Sequence, residues 1–176
     1  EGILRRSNNA SYDFLSKELT EFTNPMDLNL TLKEALIDAD VFIGVSAPRL
    51  VTAEMVRSMA KDPIVFALAN PEPEITVDEA TKGGAFIIAT GRSDFPNQVN
   101  NVLVFPGLFR GALDAKATQI TEPMKLAAAK ALASLIPDSE LSVQYIIPSV
   151  FDPRVADTIA TEVKRVALET GMVRKG

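Results

Sequence analysis

The sequence predicts an α/β fold in which helices flank a parallel β-sheet. Three apolar runs, at residues 40–46, 63–69 and 85–89, predict the strands, and stretches with helical periodicity lie between them. Strands that alternate with helices at this spacing are typical of βαβ units. Because such crossovers are almost always right-handed, we expect the carboxyl ends of the strands to share one edge of the sheet.

The three runs are rich in Val, Ile, Phe and Ala, and each ends near a small or polar residue, namely Ser46, Asn70 or Gly91. Continuous apolar runs of this length indicate strands that are buried on both faces. Short buried helices have a similar composition, but the prolines and the glycine that bound the runs favour strands. A fourth apolar run predicts a further strand near 101–105.

Capping signals locate helices in the N-terminal half. Thr31 and Thr76 each begin a Thr-x-x-Glu capping box, and Thr52 can cap the helix between the first two strands. Farther upstream, either Asn9 or Ser11 can cap another helix. Its apolar face would carry Tyr12, Leu15, Leu19 and Phe22.

The C-terminal part is predicted to be helical. Helices are expected after Pro106-Gly107 and after Thr121, and Asp152 should cap a last helix that has Pro153 in its first turn. Gly171 is placed just after that helix, where a left-handed conformation is common. The apolar stripe that should face the protein consists of Val155, Ile159, Val163 and Val166.

The composition excludes several kinds of site and partner. The 176 residues include neither histidine nor cysteine, so the chain has no imidazole for general acid–base catalysis and no thiolate for metals or disulfides. It has 18 basic and 23 acidic residues and no basic stripe, so nucleic acid is not an expected partner.

No apolar run approaches the roughly 20 residues that a membrane span needs, so a membrane is not an expected partner either. Residues 1–6 carry no apolar signal-peptide segment. We expect a cytoplasmic location, although a mitochondrial-matrix protein without its transit peptide would have the same composition.

Polar residues at the strand ends are the first candidate site. In open parallel sheets, ligands bind in the crevice beyond the carboxyl ends of the strands. Ser46, Asn70 and the 91–94 stretch lie at three such ends, so we expect them to converge on a ligand. Each is also a common turn residue, and a solvated turn is the alternative for any one of them taken alone.

A cluster of amides is the second candidate. Residues 97–101 hold four amide side chains and run directly into the apolar stretch at 102–105. Amides both donate and accept hydrogen bonds, so they suit a ligand with carboxylates, hydroxyls or a carboxamide. A solvated polar loop is the alternative. We favour the binding site because the start of an apolar strand is a poor place for surplus polar groups.

The motif that should open a dinucleotide-binding domain of the Rossmann type is missing. The chain has no G-x-G-x-x-G, and Gly83-Gly84 lies between a helix and a strand instead. We therefore interpret residues 1–176 as the C-terminal part of such a domain, a Rossmann-like sheet that lacks its first βαβ unit. Its βα core should extend to about residue 120, with a C-terminal helical extension at 121–176.

Five stretches of the sequence carry a specific resemblance to a known family. They lie at 39–48, 63–73, 89–101, 105–114 and 145–156, and so cover nearly the whole chain. With these stretches the chain resembles the C-terminal part of the malic enzymes, in particular their compact prokaryotic branch. That family oxidises malate with NAD or NADP and decarboxylates the bound oxaloacetate to pyruvate, using Mg²⁺ or Mn²⁺.

The resemblance implies that Asn70 and Asn100 bind malate and that Ser46 and Asn70 line the cofactor groove. It places Asn101 either against the nicotinamide or in support of the substrate amides. The family's catalytic tyrosine, lysine base and acidic metal ligands match no position here. We therefore expect no catalytic or metal-binding residue in this chain, and expect those groups in a missing N-terminal part of the same protein. A homodimer is also expected, and the choice between NAD and NADP stays open.

One departure from the family pattern is Arg49, where related sequences commonly have a small residue. It is either a solvated side chain or a changed cofactor contact.

We expect the chain alone not to oxidise malate, because it offers no base and only one carboxylate, Asp94, near the proposed crevice.

Two rival functions remain. A non-catalytic nucleotide-binding or regulatory module could retain a half-Rossmann core, and upstream sequence would distinguish it. An amino-acid dehydrogenase shares the architecture, but Asn100-Asn101 followed by Phe105-Pro106-Gly107 counts against it.

Overall fold

The computed structural model describes residues 2–174. In the N-terminal half, helices and strands alternate as predicted. After the third strand the described regular structure is helical. In chain order they are a 3-10 helix (Arg6–Ser11), α1 (Phe14–Leu19), α2 (Leu32–Ala35), β1 (Val41–Gly44), α3 (Ala53–Arg57), β2 (Ile64–Ala67), α4 (Val77–Gly83), β3 (Ile87–Thr90), a second 3-10 helix (Asn101–Leu103), α5 (Phe105–Asp114), α6 (Glu122–Ala133) and α7 (Arg154–Glu169).

The three strands form one parallel sheet in the order β1-β2-β3. Val41 pairs with Ile64, which pairs with Ile87, and the register continues to Thr90. The predicted α/β class and its three parallel strands are therefore confirmed. All three strands end at one edge of the sheet, which we call the carboxyl edge.

The sheet is buried on one face more than on the other. Phe42 and Val65 pack with Met55 of α3 and Ala80 of α4 in one apolar cluster. On the opposite face Ile43 is 62% exposed. The prediction that the strands are buried on both faces is wrong for β1, because α3 and α4 cover only the face that carries Phe42.

The Thr caps form much as predicted. Thr31 accepts a hydrogen bond from the Glu34 N–H, and the Glu34 carboxylate accepts one from the Thr31 N–H, which completes a capping box. Thr52 caps α3 by accepting from the Met55 N–H. Thr76 caps α4, but the Glu79 carboxylate accepts from the Thr76 hydroxyl, so this second box is only half formed.

The first α-helix does not begin where the sequence predicted. Asp13, and neither Asn9 nor Ser11, caps it, because the Asp13 carboxylate accepts from the Ser16 N–H at 2.8 Å. This hydrogen bond lowers the pKa of Asp13. Residues 6–11 form a 3-10 helix instead, and the apolar side chain of Leu15 is 69% exposed.

The predicted fourth strand at 101–105 is wrong. Asn100 accepts a hydrogen bond from the Val102 N–H and starts the second 3-10 helix, and α5 follows at once from Phe105. Pro106 lies in the first turn of α5, where its missing N–H costs no helical hydrogen bond. The apolar run is thus a 3-10 turn and the start of a helix, in which Leu103 is buried but Val102 and Phe105 are about half exposed.

Helices α5, α6 and α7 pack around a second apolar core, which we call the C-terminal helical cluster. Gly111 lets α5 approach α7 closely, since a Cβ there would lie 2.5 Å from the Ala160 carbonyl oxygen and 2.9 Å from the Val163 Cβ. The buried members of the cluster are Leu103, Leu108, Ala112, Ala115, Met124, Ala128, Ala131, Leu132, Val155, Ile159, Val163 and Ala167.

Thr121 occupies the predicted N-cap position of α6, but its side chain makes no capping hydrogen bond. The α7 stripe is confirmed: its first three members are buried in the helical cluster and Val166 is partly buried against it. Gly171 follows α7 with φ +67°. The Met172 N–H then bonds the Ala167 carbonyl, as in a Schellman motif.

The start of α7 lies one residue later than predicted, since Pro153 is at the N-cap position and not in the first turn. Asp152 nevertheless caps the helix end, because its carboxylate accepts from the Arg154 N–H at 2.9 Å. Among residues 2–174, no helix has the length and apolarity needed to cross a bilayer. The division of the chain near residue 120 stays a prediction.

Candidate functional site

The structure brings two of the predicted site residues to the carboxyl edge through the strands that precede them. Ser46 follows β1 by two residues, Asn70 follows β2 by three, and Gly91 directly follows β3. The side chains of Ser46 and Asn70 are exposed. The edge therefore presents a hydroxyl and an amide to solvent from neighbouring strands.

Asn70 lies directly beside the end of β3. A Cβ placed on Gly91 would be 3.5 Å from the Asn70 Nδ2 and 3.6 Å from its Oδ1. The Val99 carbonyl oxygen lies 3.8 Å from the same point. The Asn70 amide is therefore next to the segment that leads into Asn100.

That segment is held on the sheet by β3. The Val99 N–H donates to the Thr90 carbonyl at 2.8 Å, and Gln98 forms an isolated parallel bridge with Thr90. The Thr90 side chain is buried, and its Oγ1 accepts from the Arg92 N–H. Residues 97–101 thus pass across the carboxyl edge and not away from it.

The four amides of residues 97–101 have different roles. Asn97 is buried and uses its whole amide internally: Nδ2 donates to the Ile88 and Val143 carbonyls, and Oδ1 accepts from the Ile146 N–H. It therefore ties β3 to the segment between α6 and α7. Asn97 is a structural residue, which the amide pattern alone did not reveal.

Asn100 uses only half of its amide within the described residues, and Asn101 uses none of its amide. Asn100 uses its Oδ1 to cap the second 3-10 helix, with 3.1 Å to the Val102 N–H. Within residues 2–174 its Nδ2 has no hydrogen-bond acceptor, and the exposed Asn101 side chain has no hydrogen-bond partner. The donor group of Asn100 is thus oriented by its own cap and free to bind.

A buried carboxylate at this edge was missed by sequence reasoning. Glu74 is 0% exposed, and its two oxygens accept from the N–H groups of Ser46 and Ala69. Its position in a Pro-Glu-Pro-Glu run resembles an exposed loop. The available signal was its place between Pro73 and the apolar Ile75, immediately before a helix cap.

The exposed charges of the edge are paired. Asp94 accepts two hydrogen bonds from Arg92, at 2.9 Å and 2.7 Å. This contact lowers the pKa of Asp94 and raises that of Arg92. Arg49 has an exposed side chain that forms an ion pair with Glu72 at 3.1 Å. Arg49 is therefore a solvated, paired cation in this structure.

The described residues do not suit a divalent metal. Within residues 2–174 no group of three or more acidic, histidine or cysteine side chains lies close enough to hold an ion. Both oxygens of Asp94, the one carboxylate expected near the crevice, already bind Arg92. The expectation that Mg²⁺ or Mn²⁺ is held by residues outside this chain stays a prediction.

The site is an open edge and not a closed pocket. A cleft of about 330 Å³ lies among the segments that follow β1, β2 and β3, and Arg49, Thr76 and Arg92 are in its lining. Neither Ser46 nor Asn70 lines it. The described part of the edge thus presents the exposed side chains of Ser46 and Asn70 outside this cleft.

Comparison with known proteins identifies the family of this chain. The family model described as "Malic enzyme, NAD binding domain" matches residues 5–168. The bifunctional malic/malolactic enzyme of Bacillus subtilis is 56% identical over 160 residues, which are 91% of this chain and 39% of that protein. The NAD-dependent malic enzyme of Geobacillus stearothermophilus is 53% identical over 90% of this chain and 33% of its own length.

A solved structure agrees with the sequence relatives. The crystal structure of malic enzyme from Entamoeba histolytica superposes with a TM-score of 0.88 at 40% identity, over 99% of this chain and 36% of that one. The chain thus spans less than two fifths of the length of each of these three proteins. On these matches, the chain belongs to the malic enzyme family and forms part of its NAD-binding domain.

Proposed function

We propose that this chain is the C-terminal part of the NAD(P)-binding domain of an enzyme that converts (S)-malate to pyruvate and CO₂ with reduction of NAD or NADP. Family membership supports the proposal. The observation that carries it is the position of the exposed Asn70 amide beside Gly91 and next to the segment that leads into Asn100. This position supports the assignment of a binding amide to the carboxyl edge, where α/β sheets bind their ligands.

In this proposal Asn70 and Asn100 bind malate. A neutral amide donates to a carboxylate or hydroxyl without titrating, so it holds the substrate in the same way across the working pH range. Ser46, Asn70 and Asn101 line the cofactor side of the same edge. When bound there, NAD or NADP would accept the hydride that leaves malate.

The remaining chemistry is assigned to the rest of the protein. Oxidation of a secondary alcohol needs a base, and this chain has no histidine or cysteine. Its Asp94 is held by Arg92 in a bidentate contact. We therefore propose that the base and the ligands of the divalent ion lie outside these 176 residues. The homodimer and the cytoplasmic location stay predictions.

The test is an assay of the full-length protein with malate, NAD or NADP and Mn²⁺. Absorbance of the reduced cofactor and the formation of pyruvate are measured together. We expect both products in equal amounts, and we expect neither from the 176-residue chain alone. Absence of both from the full-length protein would refute the proposed function. Turnover by the isolated chain would refute the assignment of the base to another part of the protein.

A further inference from the structure

The loops that follow β1 and β2 are joined by a single buried carboxylate. Glu74 lies on the second loop and is 0% exposed. Its Oε1 accepts from the Ser46 N–H at 2.8 Å, and its Oε2 accepts from the Ala69 N–H at 3.1 Å. One side chain therefore contacts the backbone at the carboxyl ends of both strands.

Backbone hydrogen bonds continue the same connection. The Arg49 N–H donates to the Pro73 carbonyl at 3.1 Å, and the Val51 N–H donates to the Glu74 carbonyl at 3.0 Å. Residues 46–51 and 69–74 therefore form one unit with Glu74 at its centre. The exposed Arg49–Glu72 ion pair lies at its rim, where such a pair adds little stability.

The end of β1 is shaped to admit this carboxylate. A Cβ placed on Gly44 would lie 2.6 Å from the Glu74 Oε1 and 2.8 Å from its Cγ. These contacts are too short for any real Cβ, so a side chain at Gly44 would displace the carboxyl group. Gly44 and Glu74 therefore fit together as a pair, although Gly44 ends β1 and Glu74 lies on the loop after β2.

Glu74 is not explained as a stabilising ion pair. Within residues 2–174 no lysine or arginine forms a salt bridge with it. A buried carboxylate has a high desolvation cost. Two backbone N–H groups offset that cost only when each lies within hydrogen-bonding distance of a carboxylate oxygen. The side chain is therefore suited to fixing positions more than to adding stability.

We propose that Glu74 is a positioning residue, which sets the spacing between the Ser46 loop and Asn70 and so aligns the cofactor side of the carboxyl edge with its malate side. This inference rests on the proposed function, because Ser46 and Asn70 are taken as the ligand-binding residues. Asn70 follows Ala69 directly, so the hydrogen bond to the Ala69 N–H acts on the residue next to the amide.

The test compares Glu74→Gln with Glu72→Gln in the full-length protein. The first keeps the shape of the side chain but points an NH₂ group at one of the two backbone N–H donors. The second removes an exposed carboxylate from the same loop. We expect kcat/KM for malate to fall by about tenfold or more in Glu74→Gln, as for a buried N–H that loses its acceptor, and to stay at the wild-type value in Glu72→Gln.

Hydrogen–deuterium exchange gives a readout that needs no ligand. Faster exchange at residues 45–51 and 68–70 in Glu74→Gln, but not in Glu72→Gln, supports the joining role. Unchanged exchange, or wild-type kcat/KM in a folded Glu74→Gln protein, overturns the proposal. If that variant does not fold, Gly44→Ala takes its place, because it displaces the carboxylate without removing it, and the same two outcomes decide.

The two proposals fail in different ways. A wild-type protein that does not oxidise malate refutes the proposed function, and the exchange comparison then judges by itself whether Glu74 joins the loops. An active wild type with an unaffected Glu74→Gln variant refutes the positioning role alone.

Discussion

The carboxyl edge and the C-terminal helical cluster are held together by different kinds of contact. In the helical cluster, buried aliphatic side chains such as Ile159 and Val163 pack against each other, and Gly111 allows α5 and α7 to approach closely. At the carboxyl edge, Glu74 and Asn97 bridge backbone groups that are far apart in sequence. Apolar packing therefore stabilises the helical cluster, whereas buried polar groups set the geometry of the candidate site.

The largest effect should follow from a cavity in the helical cluster. Ile159 is 0% exposed, so Ile159→Ala should lower the free energy of unfolding by about 2–5 kcal/mol through lost burial and the space left behind. Chemical denaturation of the full-length protein, followed by circular dichroism, measures the change. Leu168→Ala on the same helix is the matched control, because that side chain is 53% exposed and should lose far less.

If the helical cluster stabilises the fold without shaping the carboxyl edge, the malate KM of folded Ile159→Ala protein should equal that of the wild type. A raised KM well below the unfolding transition would show that the helical cluster also shapes the site.

A smaller effect is expected from the buried amide that links the two regions. Asn97→Ala removes three hydrogen bonds and should cost about 1.5–4 kcal/mol of unfolding free energy. Because Asn97 has φ +56°, Asn97→Gly should be less harmful than Asn97→Ala by about 1 kcal/mol. Denaturation curves of both variants measure the two losses of unfolding free energy. Equal losses would mean that the backbone conformation contributes nothing.

The smallest effect concerns acid stability at the start of α7. The Arg154 side chain and N–H lower the pKa of Asp152 below its ordinary value of 3.8. A carboxyl group with a lowered folded-state pKa stabilises the fold above that ordinary value and loses its contribution as the pH falls through the folded-state pKa. Asp152→Asn should therefore reduce the thermal midpoint at pH 7 and remove part of the fall in midpoint below about pH 4. Parallel midpoint curves for the two proteins would contradict this.

Local signals predicted much of the fold, and the errors have physical causes. The three strands were predicted from continuous apolar runs, the α7 stripe from helical periodicity, and the Thr31 cap from a motif of four residues. The prediction of a strand at 101–105 was wrong because a short apolar stretch suits both a strand and the partly buried start of a helix. The cap from Asn100 and the position of Pro106 decide for the helix.

The site was predicted less completely because its geometry depends on contacts between distant residues. Asn70 and Ser46 could be placed at strand ends from the sequence alone. Glu74 binds an N–H that is 28 positions away, and Asn97 binds a carbonyl 46 positions away. No local pattern contains those partners. The place of Glu74 before Ile75 was a signal of burial, but neither its partners nor the structural role of Asn97 could be derived from the sequence.

We propose that this chain supplies binding amides to the site and no titrating group. The most direct test is the pH profile of kcat/KM for malate in full-length Asn100→Ala, with Asn29→Ala as the exposed-amide control. Loss of a hydrogen bond to a charged substrate should cost on the order of 1.5–3 kcal/mol at every pH. We expect a profile that is lowered throughout with unchanged inflection points, because an amide does not ionise. A shifted or missing inflection, or wild-type kinetics in Asn100→Ala, would contradict it.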